Sequence, residues 1–488
     1  MYSVSINKII NIFLRNLSEY QIITKNSFWI FLGKFGGGVF RALLVIISAR
    51  YLGASEYGAF SIAMNFVLLF SFLPELGLSV ILTRELSKAK EGEKQKIFNT
   101  ILSLSILLSL FSYFLILILG KIFIKNNISL SLLPILGLMM ILDIFREFSY
   151  GVYRAQLRGE LQGIFHFLTN FILLILGFLF LNYFKDSFYL SIAYLIGIGI
   201  GFILSSIFIL NYIKKFRFLF DIKKYLYYFN FSWPIALANA LYLSLLFIDS
   251  LILGWYFPSF IVGLYTSAVK VNEFLIVFPT SIALALLPMF SRNLNNQELL
   301  RENLEFGIKL TYLLVLPIIF CGMIISYEII DLIFGKEYLM GHIGLKILLP
   351  SFIASSLFMI FSQFLIAINK RRELIIYEIL VFFINLIGNL ILIPKFDFIA
   401  AAYTTTFSNY LSFLFGFFIV NKYIKFDLYK GIAKPLIASL LTTFICFMLL
   451  ILKFNIFIIF MVCIFSYLLI LLLIKEEISI AIISKVFR

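Results

Sequence analysis

Two cations, Lys34 and Arg41, lie within one apolar stretch of the sequence, residues 28–49. A helix would place both on one face, close to Gly38 and Ser48. The stretch is long enough to cross a bilayer, which takes about 20 apolar residues. An arginine at the centre of such a helix costs about 2.5–3.5 kcal/mol on insertion scales and should face a water-filled cavity or a partner. This face is therefore predicted to line a polar path through a membrane.

The cations of this path could bind an anion. Arg41 is the first candidate, because its planar guanidinium matches pairs of phosphate oxygens. Lys34 and Lys270 are the next candidates, and Lys270 aligns with Asn65 when the second half of the chain is set against the first. Two alternatives stay open. Arg41 could pair with an acidic residue of another helix, and Lys34 lies near enough to one end of its span to reach the membrane surface.

A carboxylate, Asp249, occupies another apolar stretch, with Tyr242 seven positions earlier on the same helix face. Tyr242 is predicted to line the cavity. Carboxylates inside membranes often carry protons or sodium ions, so Asp249 is the first candidate for ion coupling. A structural ion pair with Arg41 or Lys270 is equally open.

Two further carboxylates are candidates for coupling. Glu273 follows Lys270 by three positions, so the two side chains could neutralise each other on one helix face. Glu75 follows Pro74, where the missing backbone N–H would allow a membrane helix to bend.

A third group, Asp143, Arg146 and Glu147, has the spacing i, i+3, i+4. Arg146 could be satisfied within its own helix, and the group is interpreted as a structural ion cluster. Four asparagines in apolar stretches could bond either sugar or neighbouring helices, and helix contacts are the favoured interpretation. They are Asn239, Asn385, Asn389 and Asn409.

The composition indicates a membrane protein. Hydrophobic residues make up 62% of the 488 residues, against about 45–50% in soluble domains. Cys321, Cys446 and Cys463 lie in apolar segments without a CxxC spacing, so neither a disulfide nor a zinc site is predicted. The two histidines, His166 and His342, are isolated in the sequence, and no metal site is expected at them.

Fourteen apolar spans are predicted, in an all-α integral membrane protein. They begin near residues 28, 58, 97, 131, 162, 188, 232, 262, 304, 344, 374, 398, 433 and 455. If the N-terminus is inside, the inner loops and termini hold 28 of the 40 Lys and Arg, and the outer loops hold 8. This positive-inside bias predicts that both termini are cytoplasmic and explains the net charge of +15 without nucleic-acid binding.

An internal repeat predicts two lobes. YLGASEYGAFSIA at 51–63 aligns with YFPSFIVGLYTSA at 256–268, and a similar offset aligns Pro134 with Pro350. Parallel repeats of this kind are common in transporters. We therefore predict two six-helix lobes and two additional helices. The expected segments are an interfacial N-terminal segment 1–27, an N-lobe 28–211, a basic cytoplasmic linker 212–231, a C-lobe 232–421, two further spans within 433–474 and a cytoplasmic tail 475–488.

Three segments resemble the polysaccharide transporter, or lipid-linked oligosaccharide flippase, family. They are residues 26–87, residues 247–275 (FIDSLILGWYFPSFIVGLYTSAVKVNEFL) and residues 365–413, which contain Asn385, Asn389 and an IPKF turn. The superfamily also contains multidrug extruders and the lipid II flippase. The resemblance implies a two-lobed, MATE-like cavity that opens alternately to each side of the cell membrane. It would move undecaprenyl-diphosphate-linked sugar units outward for a surface polysaccharide such as O-antigen.

The same resemblance implies the expected partners. These are the lipid-linked oligosaccharide, membrane lipid and a polysaccharide polymerase with its chain-length regulator. We expect a functional monomer in the inner or cytoplasmic membrane, without a cofactor, coupled to a proton or sodium gradient or to the membrane potential. The alternatives are a multidrug antiporter of the same superfamily and a membrane enzyme such as a polysaccharide polymerase. The basic span residues disfavour the antiporter, and the short loops disfavour the enzyme.

Overall fold

The computed structural model of the chain describes residues 19–476, apart from the side chains of 19–24, 27, 234, 235, 238, 242 and 371. In this range every regular element is helical. The predicted N-terminal segment and tail lie mostly outside the described residues. The α-helices in chain order are α1 Glu19–Phe70, α2 Phe72–Glu75, α3 Leu78–Lys88, α4 Glu91–Phe123, α5 Asn127–Ala155, α6 Gly159–Phe184, α7 Ser187–Ser206, α8 Leu210–Lys214, α9 Ile222–Tyr256, α10 Ser259–Leu275, α11 Val277–Arg292, α12 Gln297–Ile324, α13 Ser326–Ile333, α14 Gly341–Leu348, α15 Ser351–Ala367, α16 Arg371–Tyr423, α17 Ala433–Ile451 and α18 Ile456–Leu473.

The two longest helices are each interrupted once. Helix α1 is broken at Gly53, whose φ of 72° lies in the region that favours glycine. Helix α16 is broken at Phe396 and Asp397, just after Pro394. The Asp397 carboxylate accepts a hydrogen bond from the Ile399 N–H at 3.1 Å, which caps the second half of the helix. Both breaks fall between stretches that the sequence predicts as separate spans.

Asparagine and aspartate side chains cap the N-termini of several helices. Asn126 caps α5 by accepting the Ser129 N–H at 2.9 Å, and Asp221 caps α9 by accepting the Lys224 N–H at 3.1 Å. Helices α4 and α5 begin at Glu91 and Asn127, a few residues before the predicted spans. The apolar pattern starts where the membrane-facing surface starts, whereas the cap and polar first turn precede it.

The described helices have the length and apolarity of membrane spans. Eleven helical segments within residues 19–476 meet both criteria, three of which join neighbouring helices (α1–α3, α7–α8 and α10–α11). The bent pair α14–α15 adds a twelfth if it is one span. Large apolar side chains are exposed along them. On α18, for example, Phe457, Phe465 and Leu473 are 63%, 66% and 72% exposed. Soluble proteins rarely expose so large a continuous apolar surface to water, so the chain is a multi-pass α-helical membrane protein.

The chain forms two compact units, Met1–Phe260 and Ile261–Arg488. In the first unit, α1 and α6 approach each other closely through glycines. A Cβ atom added at Gly163 would lie 2.1 Å from the Trp29 carbonyl oxygen, and one at Gly33 would lie 2.2 Å from the Gly163 carbonyl oxygen. Glycines therefore allow these two backbones to touch. The predicted linker 212–231 contains the end of α8 and the start of α9, and the predicted lobe boundaries stay a prediction.

In the second unit, α11, α12, α15 and α16 enclose one apolar core. The hairpin α17–α18 packs against α12, where the Tyr467 hydroxyl donates to the Leu313 carbonyl at 2.8 Å. Ion pairs join the first half of α12 to the segments just before and just after the hairpin. Glu305 lies 2.5 Å from Lys430, and Lys309 lies 3.1 Å from Glu476.

Candidate functional site

The first unit holds a cluster of ionisable side chains within its membrane helices. At its centre Arg146 of α5 is only 4% exposed. Its Nη2 atom lies 2.6 Å from Asp143 Oδ1 and 3.9 Å from Glu147 Oε1, so the ion pairs lie within one helix, at the predicted spacing. The guanidinium also lies over the Tyr150 ring, 5.4 Å from its centroid.

The ion pairs leave part of Arg146 unused. Its Nε and Nη1 atoms are buried and have no hydrogen-bond partner among the residues that the structure describes. Buried donors normally find a partner in protein or water, so these two atoms are free to bind a water molecule or an acceptor of a ligand. The interpretation of Arg146 as structural stays a prediction, and these two donors make it a candidate for binding as well.

Glu75 and Arg154 belong to the same cluster. Glu75 ends the short helix α2, and Leu76 and Gly77 after it both have positive φ, 33° and 68°. Beside this break, the Glu75 carboxyl group is influenced electrostatically by Glu147, Asp143 and Arg154. Arg154 contacts Thr83 Oγ1 and Gln162 Oε1, each at 3.5 Å, and also interacts with Glu147.

The two cations of α1 influence the same cluster electrostatically. Lys34 interacts electrostatically with Glu147 and with His166, and Arg41 interacts with His166 and Tyr194. Both cationic side chains are exposed. In contrast to Arg146, neither forms a close ion pair in the described part of the chain. The alternative, an ion pair between Arg41 and an acidic residue of another helix, is thus not observed within residues 19–476.

His166 is a member that the sequence did not indicate. Its ring lies 6.5 Å from the Tyr150 ring centre and interacts with Arg146, Arg41 and Lys34. A search for regular spacing along one helix could not detect it, because its partners lie on α1 and α5 and not on its own helix. The same reason explains why Arg154 was missed as a partner of Glu75.

Asp249 is also in the first unit, on α9, and is 2% exposed. Helix α9 packs against the second half of α1, where a Cβ atom added at Gly254 would lie 2.8 Å from the Ile62 side chain. Asn65 lies one turn from Ile62 on α1 and is half-buried. The side chain of Tyr242 lies outside the described residues, so its predicted place in the cavity stays a prediction.

In the second unit, Lys270 and Glu273 form an ion pair on α10, with Nζ and Oε2 2.7 Å apart. The side chains are 24% and 35% exposed, which leaves both open to a neighbouring ligand or to water. Roles for these two residues in substrate binding and ion coupling stay predictions.

A chain of hydrogen bonds connects the two halves of α16. Asn389 donates to Asn385 at 3.0 Å, Asn385 donates to Ser408 at 3.1 Å, and Thr404 donates to Asn389. Both asparagines are fully or almost fully buried. The amides therefore bind the helix together across its break, in agreement with the interpretation as helix contacts.

The sequence matches two family profiles. The profile described as "Polysaccharide biosynthesis protein" matches residues 23–294, more than half of the chain. The chain belongs to this family. The profile described as MatE matches residues 234–391. The expected resemblance to the polysaccharide branch of this superfamily is confirmed.

Individual relatives have low but extended similarity. The capsular polysaccharide biosynthesis protein CapF of Staphylococcus aureus is 25% identical, over 82% of this chain and 100% of its own length. The probable low-salt glycan biosynthesis flippase Agl15 of Haloferax volcanii is 25% identical, over 79% and 81%. Among solved structures, the lipid II flippase MurJ in an inward closed conformation has a TM-score of 0.77 at 20% identity, over 93% and 99%. The last likeness supports the same fold.

Proposed function

We propose that this protein is a flippase that moves lipid-linked oligosaccharides across the membrane for surface polysaccharide biosynthesis. The observation that carries the proposal is the set of cations at the charged cluster of the first unit: exposed Lys34 and Arg41, and buried Arg146 with two unused donors. A diphosphate headgroup needs such donors, because it cannot enter hydrocarbon without charge compensation. Family membership and the names of the relatives supply the substrate class.

The proposed architecture has fourteen spans in two lobes that open alternately. Residues 28–88 and 372–423 are 61 and 52 residues long, each enough for two crossings, and each contains one of the helix breaks. If each of these two segments counts as two spans and the bent pair α14–α15 as one, the number of spans is fourteen. An even number puts both termini on the same side, and the distribution of Lys and Arg favours the cytoplasm. For a bacterial chain the compartment would be the inner or cytoplasmic membrane.

The driving force and partners are part of the same proposal. Asp249, buried in α9, is the first candidate to couple transport to a proton or sodium gradient, and the membrane potential is the alternative for an anionic substrate. The protein would act without a cofactor and as a monomer, would form no covalent intermediate, and would supply a polysaccharide polymerase and its chain-length regulator.

Reconstitution tests the function directly. Purified protein in liposomes should move a fluorescent undecaprenyl-diphosphate oligosaccharide between leaflets faster than protein-free liposomes do. Imposed proton, sodium and potential gradients would identify the driving force. Movement no faster than in protein-free liposomes, by protein that is folded and correctly inserted, would refute the proposal.

A second candidate, a multidrug antiporter, is favoured by the MatE match and by buried Asp249. Carboxylates in a cavity suit cationic drugs, and the same liposomes distinguish the two activities. Transport of a cationic dye in exchange for protons or sodium, without movement of the lipid-linked oligosaccharide, would favour the antiporter.

A further inference from the structure

Three cysteine side chains meet in the second unit. Cys321 is on α12, Cys446 on α17 and Cys463 on α18, and their sulfur atoms all lie within 4.8 Å of one another. The sequence contains only these three cysteines. Each comes from a different helix, so their meeting is a property of the packing and not of a local motif. All three are buried, with at most 9% of the residue exposed.

The surroundings determine which ligand this group could hold. Apolar side chains, including those of Ile325 and Ile459, enclose it. One hydroxyl lies beside it: Thr443 Oγ1 is 3.6 Å from the Cys321 sulfur and donates to the Ser439 carbonyl at 2.7 Å. Among the described residues, the side chains that meet here therefore offer three soft sulfur donors in apolar surroundings. Isolated buried cysteines commonly act as small apolar residues, but three convergent thiols also form a ligand set.

The spacing of the sulfur atoms fits a three-coordinate metal. With metal–sulfur bonds of about 2.3 Å, a planar triangle of ligands has sulfur atoms about 4.0 Å apart, so small side-chain shifts suffice. Zn²⁺ in structural sites prefers four ligands, and the cluster supplies three sulfur atoms. A soft monovalent ion avoids this problem, because sulfur ligands select Cu⁺ and Cu⁺ readily binds fewer than four of them.

We propose that Cys321, Cys446 and Cys463 form a binding site for a soft monovalent metal ion of the Cu⁺ type. Binding of Cu⁺ releases one proton from each cysteine that ligates as a thiolate, and no electron is transferred. Cys321 lies three residues from the end of α12, and Cys463 seven residues from the start of α18. Residues 452–455, just before α18, are exposed, so an ion that enters there would need to pass about 10 Å along α18.

The bound ion would join three helices. It would connect the hairpin α17–α18 to α12 near one end of the hairpin, while the ion pairs of Glu305 and Lys309 hold the opposite end. Loading of the site should consequently raise the melting temperature of the protein, because the ligand binds the folded state and not the separated helices. This inference does not depend on the proposed transport activity.

The test is an anaerobic titration of the intact, detergent-solubilised protein with Cu⁺ buffered by a chromophoric chelator. We expect one Cu⁺ per chain, a thiolate-to-copper absorption band in the ultraviolet and a higher melting temperature. Cys446→Ser and Cys463→Ser should each weaken binding by more than roughly tenfold, since they remove a direct ligand. Thr443→Val is the matched control and should bind Cu⁺ as the wild type does.

Several results would overturn the proposal. One is a wild-type protein that competes with the chelator for Cu⁺ no better than a variant in which all three cysteines are replaced by serine. Another is a purified protein 2 Da lighter than its sequence, which would indicate a disulfide in place of a thiol set. Preferential binding of Zn²⁺ would also contradict a monovalent site. If Cys446→Ser does not fold, Cys321→Ser and Cys463→Ala test the same ligand set from the other two helices.

Discussion

Two arginines, one buried and one exposed, differ in what they can contribute at the charged cluster. Arg146 is held by Asp143 and Glu147 and can offer only its Nε and Nη1 atoms. Arg41 is exposed, so its whole guanidinium is available for a bidentate contact with phosphate oxygens. The two residues should therefore respond differently to substitution. Loss of Arg146 would remove the close cation of two carboxylates, whereas loss of Arg41 would remove only the proposed ligand contact.

We predict that Arg41→Ala lowers the initial rate of oligosaccharide movement in liposomes at least about tenfold, because charge-assisted hydrogen bonds contribute about 1.5–3 kcal/mol. Arg41→Lys should restore only part of the rate, since lysine keeps the charge without the planar fork. Arg292→Ala, at an exposed arginine in the last turn of α11, is the matched control. An unimpaired Arg41→Ala protein would remove Arg41 from the binding site.

A buried carboxylate that couples an ion should affect the gradient response more than the basal movement. Asp249→Asn keeps the size of the side chain but cannot ionise, so the rate of transport should lose its dependence on an imposed proton or sodium gradient. Ser250→Ala, at the adjacent buried polar residue, is the control and should retain that dependence. If Asp249→Asn responds to the gradients as the wild type does, Asp249 is a structural residue.

At the level of elements, the close approach of α1 and α6 makes a sharp stability prediction. Gly163→Ala should lower the melting temperature, because the new methyl group would meet the Trp29 carbonyl oxygen at 2.1 Å, and overpacking costs about 1–3 kcal/mol. Gly38→Ala on the same helix pair has no atom within 4 Å of the new methyl group, so it should leave the melting temperature unchanged or raise it. Equal melting temperatures for the two variants would contradict this account.

The sequence predicted the helices well and their partners less well. Apolar length and charge are local properties, which is why the spans around Gly53 and on both sides of Pro394 could be located. The same is true of the ion pair between Lys270 and Glu273, which needs only the spacing on one helix. The electrostatic interactions of His166 with Lys34 and Arg41 depend on which helices pack together, and a single sequence does not contain that information.

The cysteines illustrate the same limit most clearly. Without a CxxC spacing, the sequence predicted no metal site at Cys321, Cys446 and Cys463, because a spacing rule compares residues along the chain. Cys321 lies more than a hundred positions before Cys446 and Cys463, and the packing of their helices brings the three sulfur atoms together. A ligand set formed by tertiary packing can be found only once the helix neighbours are known.

At the level of the whole molecule, the proposed fourteen spans fix which loops share a side of the membrane. The loop of Lys215, between α8 and α9, belongs to the predicted inner set, and the loop of Lys185, between α6 and α7, belongs to the outer set. Both lysines are exposed. In a variant without the native cysteines, Lys185→Cys should react with a membrane-impermeant maleimide in intact cells. Lys215→Cys should react only after the membrane is opened, because the lysine-rich loops stay in the cytoplasm. The reverse pattern would invert the orientation, and labelling of both in intact cells would contradict the span count between them.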